Sequence, residues 1–260
     1  MDGKKIKYYQ EKIDRLGNWY QPIEFIKGKL MSKSKYDFNS TIQGINKWNF
    51  IIRKNLPKNL EELKILDLGC ASGLFSMACA REGAKVIGLE LDKEGYLQSL
   101  LTREIYSEID KVNYNNNFEI IRCDFMNFDW EKYGKFDVVL ALNVLYWVET
   151  PYEKISPEDR RNYNNENLLN LIKKIKENSK IVIVQADENK YQRRLKSSGS
   201  LDATDSQRVV KLLEKCEFKD IKIDKPIALK SLWRTLVFKS PEVDFEKPIF
   251  YARPIIKAQS

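Results

Sequence analysis

The chain has 260 residues and not one histidine. That excludes a histidine general base, a Ser-His-Asp triad and every histidine-ligated metal site. Any protein proton acceptor must therefore be Asp, Glu, Tyr or Lys, unless substrate or water serves. Cysteine is scarce too: Cys70, Cys79, Cys123 and Cys216 stand apart, without pairing or metal-ligand spacing. Structural disulfides and a zinc or other metal centre are not expected, and the reading is of a reduced, cytoplasmic protein. No run of about 18 apolar residues occurs, so no membrane-spanning helix is expected. The opening residues Met1-Asp2-Gly3-Lys4-Lys5 lack an apolar secretory core. Internal repeats and long low-complexity stretches are absent. The Asn-rich stretches 113–117 and 162–167 are short polar loop signals.

What is present is globular: 43% hydrophobic, 12% aromatic and 32% charged residues. The length suits one large domain, or one domain with an appendage. The net charge of +8 is unevenly placed. Residues 1–60 hold 13 Lys/Arg against 5 Asp/Glu, whereas the remaining residues hold 32 of each sign. A basic leading segment can attract phosphates, RNA or a polyanionic glycan intermediate, or simply form a solvated surface.

Apolar, β-rich runs at 64–68, 85–90, 118–122, 136–142 and 180–185 alternate with helical patterns near 73–82, 93–108, 144–149 and 165–177. This is the pattern of βαβ units and a parallel sheet. A helix at 204–216 carries a capping-box pattern, Thr204 with Gln207. Runs at 219–224 and 232–238, separated by a short loop with Pro226, predict an antiparallel final pair. The expected fold is α/β, a Rossmann-like, seven-stranded, mostly parallel sheet with an antiparallel terminal strand. Residues 1–58 read as a basic, helical lid, 59–240 as the ligand-binding domain and 241–260 as a C-terminal tail.

The most informative stretch is Lys64-Ile65-Leu66-Asp67-Leu68-Gly69-Cys70-Ala71-Ser72-Gly73. A strand ends in a glycine turn and passes straight into a helix, which brings backbone close to a ligand at the carboxyl edge of a parallel sheet. A dinucleotide fingerprint requires G-x-G-x-x-G, and Ala71 stands where its second glycine belongs. No Gly-Lys-Ser/Thr follows, so this is not a phosphate-binding P-loop. The Asp67 carboxylate would repel phosphate and suits a ligand with a cationic amino group. Glu90 closes the second strand, 23 residues after Asp67, where a carboxylate can accept from both ribose hydroxyls. Asp124 follows the third strand and can take an adenine amine, with Phe125 against the ring. Three acidic residues at three successive strand ends fit S-adenosylmethionine.

These motifs resemble those of the class I S-adenosylmethionine-dependent methyltransferases. Ile65–Gly73, Val86–Glu90, Cys123–Phe125 and Phe136–Val148 match that family's successive motifs in order, over about residues 60–240. The resemblance implies S-adenosyl-L-methionine as cofactor and S-adenosyl-L-homocysteine as product. It implies a cofactor site of Asp67, Gly69, Cys70, Ala71, Gly73, Glu90, Leu91, Asp124, Phe125 and Asn143. A narrower resemblance rests on Trp19-Tyr20-Gln21-Pro22-Ile23, on Ile45–Phe50 and on Leu56-Pro57. It is to a subgroup of tRNA wobble-uridine modifying enzymes and methyltransferases of capsule and O-antigen gene clusters. Where that subgroup often has Gly-Val-Leu-Tyr-His, this chain has Asn143-Val144-Leu145-Tyr146-Trp147.

Without histidine, Tyr146, Asp187 or Glu188 would have to act as a base, or the acceptor is already anionic. Trp147, Lys190, Arg193, Arg194 and Arg234 are candidates for acceptor contact, the cations as a phosphate clamp. Trp19, Tyr20 and Gln21 are candidates to close over the cofactor, or to pack locally. The expected acceptor is a small molecule or glycan precursor, carrying a phosphate or phosphoramidate oxygen, in surface-polysaccharide biosynthesis. A tRNA substrate and a non-catalytic cofactor-binding protein are the alternatives. Cys70 and Cys79 read as small packing residues rather than nucleophiles.

Overall fold

A computed structural model of the chain describes residues 1–33, 48–142, 144–148, 157–185, 205–224 and 255–260. Helix α1 (Gly3–Arg15) is capped by Asp2, whose side chain accepts the Lys5 N–H. It leads into a small antiparallel hairpin, β1 (Glu24–Ile26) and β2 (Leu30–Met31). The expected N-terminal helix is present, and the hairpin is an addition to it. Gly28, at φ +65°, supplies the left-handed turn that a hairpin needs and a helix does not.

The body is built from β3 (Lys64–Leu68), α2 (Leu74–Arg81), β4 (Lys85–Glu90), α3 (Lys93–Asp110), β5 (Phe118–Arg122), β6 (Phe136–Leu142), α4 (Leu145–Val148), α5 (Pro157–Asn178), β7 (Ser179–Gln185), α6 (Asp205–Lys215), β8 (Lys219–Asp224) and β9 (Ile255–Gln259). The strands form a seven-stranded sheet in the order β5-β4-β3-β6-β7-β9-β8. Pairs β5·β4, β4·β3, β3·β6 and β6·β7 are parallel, whereas β9 runs antiparallel to both β7 and β8.

The antiparallel strand thus comes from the segment expected to be a tail. Ile256 and Ala258 are fully buried between the flanking strands, so the sheet needs them for its core. The expected strand at 232–238 and the cap residue Thr204 lie outside the described residues.

The core lies on both faces of the sheet. One face packs α1, the hairpin, α2 and α3 through Ile13, Trp19, Ile23, Leu30, Met77 and Ile105. The other packs α5 and α6, where Leu168, Leu171, Ile172 and Ile175 form an apolar stripe at helical spacing. Along β3, Ile65 belongs to the first face and Leu66 and Leu68 to the second. Alternation places Asp67 on the first face, beneath α2 and the N-terminal segment. Strand order reverses between β4 and β6 around β3, the switch point at which α/β sheets open a crevice.

Candidate active site at the carboxyl edge

The turn after β3 sits in that crevice, and its backbone is shaped by contacts rather than by sequence habit. Gly69 has φ +67°, and a Cβ there would lie 2.5 Å from Val144 Cγ1. Only glycine lets the end of β3 approach the segment that follows β6 this closely. Gly73, at φ +76°, opens α2; a Cβ on it would press on Ser99 and on the Phe118 ring. Ala71 also adopts a left-handed conformation, at φ +50°. It occupies a position that favours glycine but carries a methyl group.

Two of the strand-end carboxylates, Glu90 and Asp124, are tied to backbone. Glu90 Oε2 accepts the Ala71 N–H at 2.7 Å and Oε1 accepts the Asp92 N–H at 2.9 Å. Burial raises the Glu90 carboxyl above its ordinary value, against the lowering effect of those amides. Gly95 in α3 makes room for this side chain: a Cβ there would lie 3.1 Å from Glu90 Cγ. Asp124 Oδ1 accepts the Met126 N–H at 2.9 Å, and the Cys123 N–H reaches the Glu90 carbonyl at 3.2 Å. The ends of β4 and β5 are thereby locked together. Asp124 and Phe125 are half-buried, and Leu91 is 48% exposed beside them. This is an apolar and acidic rim open to a ligand.

Asp67 is different. It is 2% exposed, and Ser76 Oγ in α2 donates to its Oδ2 at 2.5 Å. The carboxylate lies under the turn, where it holds the first turn of α2 against β3. Cys70 is buried, with Sγ over Gly88, where a Cβ would come within 2.8 Å. Burial, together with the Asp67 and Glu90 charges, pushes its thiol well above the usual range, and burial does the same for Cys79. Both are packing residues, and what Cys70 offers a ligand is backbone.

Trp19 corrects its expected role. Its indole is fully buried and meets Phe25 edge-on at 6.0 Å, so it belongs to the core and not to a pocket wall. Tyr20, next to it, is 40% exposed. The same segment reaches the turn through Gln21, whose carbonyl accepts from the Ser72 hydroxyl at 2.9 Å. Tyr146 and Trp147 lie on α4, directly after β6. Asn143, Asp187, Lys190, Arg193, Arg194 and Arg234 fall outside the described residues. Sequence reasoning missed Ser72, Ser76 and Gly95 as parts of the site. Only the Ser76 position, within the first turn of a helix after Gly73, carried a local signal.

The same arrangement recurs in known proteins. A methyltransferase-domain family model matches residues 41–219. The chain belongs to this family. Its sheet is that of the class I S-adenosylmethionine-dependent enzymes, as solved structures show. The N-terminal domain of EvdMO1, with S-adenosylhomocysteine bound, aligns over 100% of this chain and 98% of its own at TM-score 0.58 and 15% identity. The bifunctional kinase-methyltransferase WbdD aligns over 95% of this chain and 46% of its own at TM-score 0.56 and 16% identity. A mitochondrial ubiquinone biosynthesis O-methyltransferase of Dictyostelium discoideum is 30% identical over 98 residues, which are 37% of this chain and 30% of that protein. The Escherichia coli O-antigen chain terminator WbdD is 28% identical over 95 residues, 36% of this chain and 13% of that protein. The matches thus span less than a third of these two curated relatives.

Proposed function

We propose that the protein is an S-adenosylmethionine-dependent methyltransferase whose acceptor is a small molecule or glycan precursor in surface-polysaccharide biosynthesis. The observation that carries the cofactor reading is the set of three locked strand ends. The Gly69–Gly73 turn, Glu90 and Asp124 lie side by side at the switch point of a methyltransferase-family sheet. The residues fit the group. The close approach of Gly69 leaves its amide edge free of side chain, and both Glu90 oxygens keep lone pairs for ribose hydroxyls beyond the amides they already accept. Asp124 would take the adenine amine and Leu91 and Phe125 its faces. S-adenosylmethionine supplies a methyl group already activated on a sulfonium, so the protein's work is positioning and exclusion of water.

The acceptor class rests on two supports: the likeness to the O-antigen chain terminator, and the absence of histidine. Tyr146 or Asp187 would hold the acceptor proton if it has one, and an anionic phosphate or phosphoramidate oxygen would need no base. Trp147, Lys190, Arg193, Arg194 and Arg234 would bind such an acceptor. The test is S-adenosylhomocysteine formation with sugar phosphates and with bulk tRNA as parallel acceptors. Turnover on the sugar phosphates is expected. Turnover on tRNA alone, with salt-sensitive binding, would replace this acceptor by RNA. Tight cofactor binding without turnover on either would point to a non-catalytic binder.

A further inference from the structure

Ser72 is fully buried in the glycine turn, and its hydroxyl donates to the Gln21 carbonyl at 2.9 Å. Its neighbour Ala71 is held by a different element, through the Glu90 carboxylate at 2.7 Å. Adjacent residues of the turn are thus tied to the end of β4 and to the N-terminal segment. Between these ties Ala71 keeps φ +50°, a conformation that persists only where the surroundings impose it. The N-terminal segment, residues 16–33, is itself a closed strap. The Trp19 N–H donates to the Lys33 carbonyl at 2.9 Å, the Ser32 N–H to the Ile23 carbonyl at 3.0 Å and the Ile23 N–H to the Ser32 hydroxyl at 2.8 Å. The Gln98 amide of α3 donates to the Leu16 carbonyl at 3.2 Å, and the first turn of the same helix packs Gly95 against Glu90. Turn, strap, α3 and Glu90 therefore form a closed circuit of contacts, in which Ser72 joins the turn to the strap.

We propose that Ser72 is a positioning residue for the cofactor: its hydroxyl couples the N-terminal strap to the turn, so that docking of the strap and binding of the cofactor strengthen each other. The inference rests on the cofactor reading. Ser72 acts through the turn and touches no ligand itself. With the Gln21 bond made, the backbone from Ala71 to Gly73 is ordered before the ligand arrives. With it broken, the ligand must order the turn, and affinity falls. Such coupling is reciprocal. The factor by which the docked strap raises affinity is the factor by which bound ligand suppresses opening of the strap. A single neutral hydrogen bond sets that factor at about two- to tenfold.

The test compares wild type, Ser72→Ala and Ser72→Cys, whose thiol is a weak donor. Each is measured by calorimetry with S-adenosylhomocysteine and by amide hydrogen exchange with and without it. In wild type the ligand should slow exchange of the Trp19 and Ser32 amides by about two- to tenfold. Ser72→Ala should bind the ligand more weakly by the same factor, and at saturation its strap amides should exchange at the ligand-free rate. Ser72→Cys should fall between the two, and it carries the comparison if the alanine variant does not fold. A purely structural role would lower stability yet leave the ligand's effect on the strap in place. Strap amides indifferent to bound ligand in wild type, or protected equally in Ser72→Ala, would overturn the coupling and leave the cofactor reading intact. Failure of the wild type to bind S-adenosylhomocysteine at all would overturn both.

Discussion

The Glu90 carboxylate accepts the amide of Ala71 at 2.7 Å and so braces the glycine turn from the end of the neighbouring strand. One side chain thereby shapes the backbone of the turn and, in the proposed site, also serves the ligand. Removing it should do more than delete a ribose contact. Glu90→Ala should weaken S-adenosylhomocysteine binding by about ten- to a hundredfold, the range for hydrogen bonds to a charged group. Glu90→Gln, which keeps one acceptor oxygen, should lose less. Calorimetry on the three proteins decides it, and wild-type affinity in Glu90→Ala would remove Glu90 from the site.

The same carboxylate should give binding a characteristic pH dependence. Burial raises the Glu90 carboxyl above the ordinary glutamate value. The folded apo-protein therefore holds this proton more tightly than the unfolded chain. That contribution to stability is complete below the unfolded value and is lost as pH rises through the folded one. Ligand binding has the opposite sign, because ribose hydroxyls donate to the ionised form. Affinity should be full above the raised value and fall as pH drops through it, earlier than an exposed glutamate would dictate. A titration of affinity against pH should show this fall in wild type and not in Glu90→Gln. The same fall in both would assign it to another group.

The parts of the molecule that were legible in sequence are those where local pattern and tertiary structure agree. Strands β3, β4 and β6 have the expected limits because each is an apolar run largely buried on both faces and closed by a turn, and edge strand β5 because Phe118 and Ile120 alternate with more exposed neighbours. Strand β9 was not legible, since Ile256 and Ala258 offer too short an alternation to announce a partner as distant in sequence as β7. Trp19 shows a second kind of failure. An aromatic in a lid and an aromatic in a core look alike until the hairpin and Phe25 close around it. The Asp67–Ser76 and Gln21–Ser72 bonds join residues nine and 51 apart in the chain, and neither spacing has a sequence signature.

Gly69 should be irreplaceable for two separable reasons. Any side chain at φ +67° carries left-handed strain of about 1–2 kcal/mol. A Cβ would also collide with Val144 Cγ1, and overpacking costs about 1–3 kcal/mol. Gly69→Ala should accordingly lose about 2–5 kcal/mol in urea unfolding. Adding Val144→Ala should return the collision part and leave the strain. No recovery in the double variant would mean that the contact with Val144 is not what fixes the turn.

Ala71 lies in the same turn and predicts the reverse behaviour. At φ +50° its methyl group keeps it in a region that glycine occupies freely. Ala71→Gly relieves about 1 kcal/mol of strain in the folded state and returns about 0.4–1 kcal/mol through the looser unfolded chain. The net change in unfolding free energy should be near zero. Ala80→Gly, in the buried last turn of α2, is the control and should cost about 1 kcal/mol or more. A comparable loss at both positions would contradict the left-handed conformation of Ala71.

The buried pair beneath the turn offers the strongest test of how the site is supported. Ser76 is fully buried and Asp67 2% exposed, with the hydroxyl donated at 2.5 Å. Ser76→Ala removes a donor from a buried carboxylate and should cost about 1–3 kcal/mol. Asp67→Asn removes the charge that the hydroxyl serves, and in that background Ser76→Ala should cost much less, because residues in direct contact are not additive. Unfolding free energies of the four proteins close the cycle. Calorimetry on the same four should show that each single change also weakens S-adenosylhomocysteine binding, since the pair sets where α2 begins and thus where Gly73 and the turn lie. Additive stabilities would show that the hydroxyl and the carboxylate act independently, and unchanged affinity would place the pair in the scaffold alone.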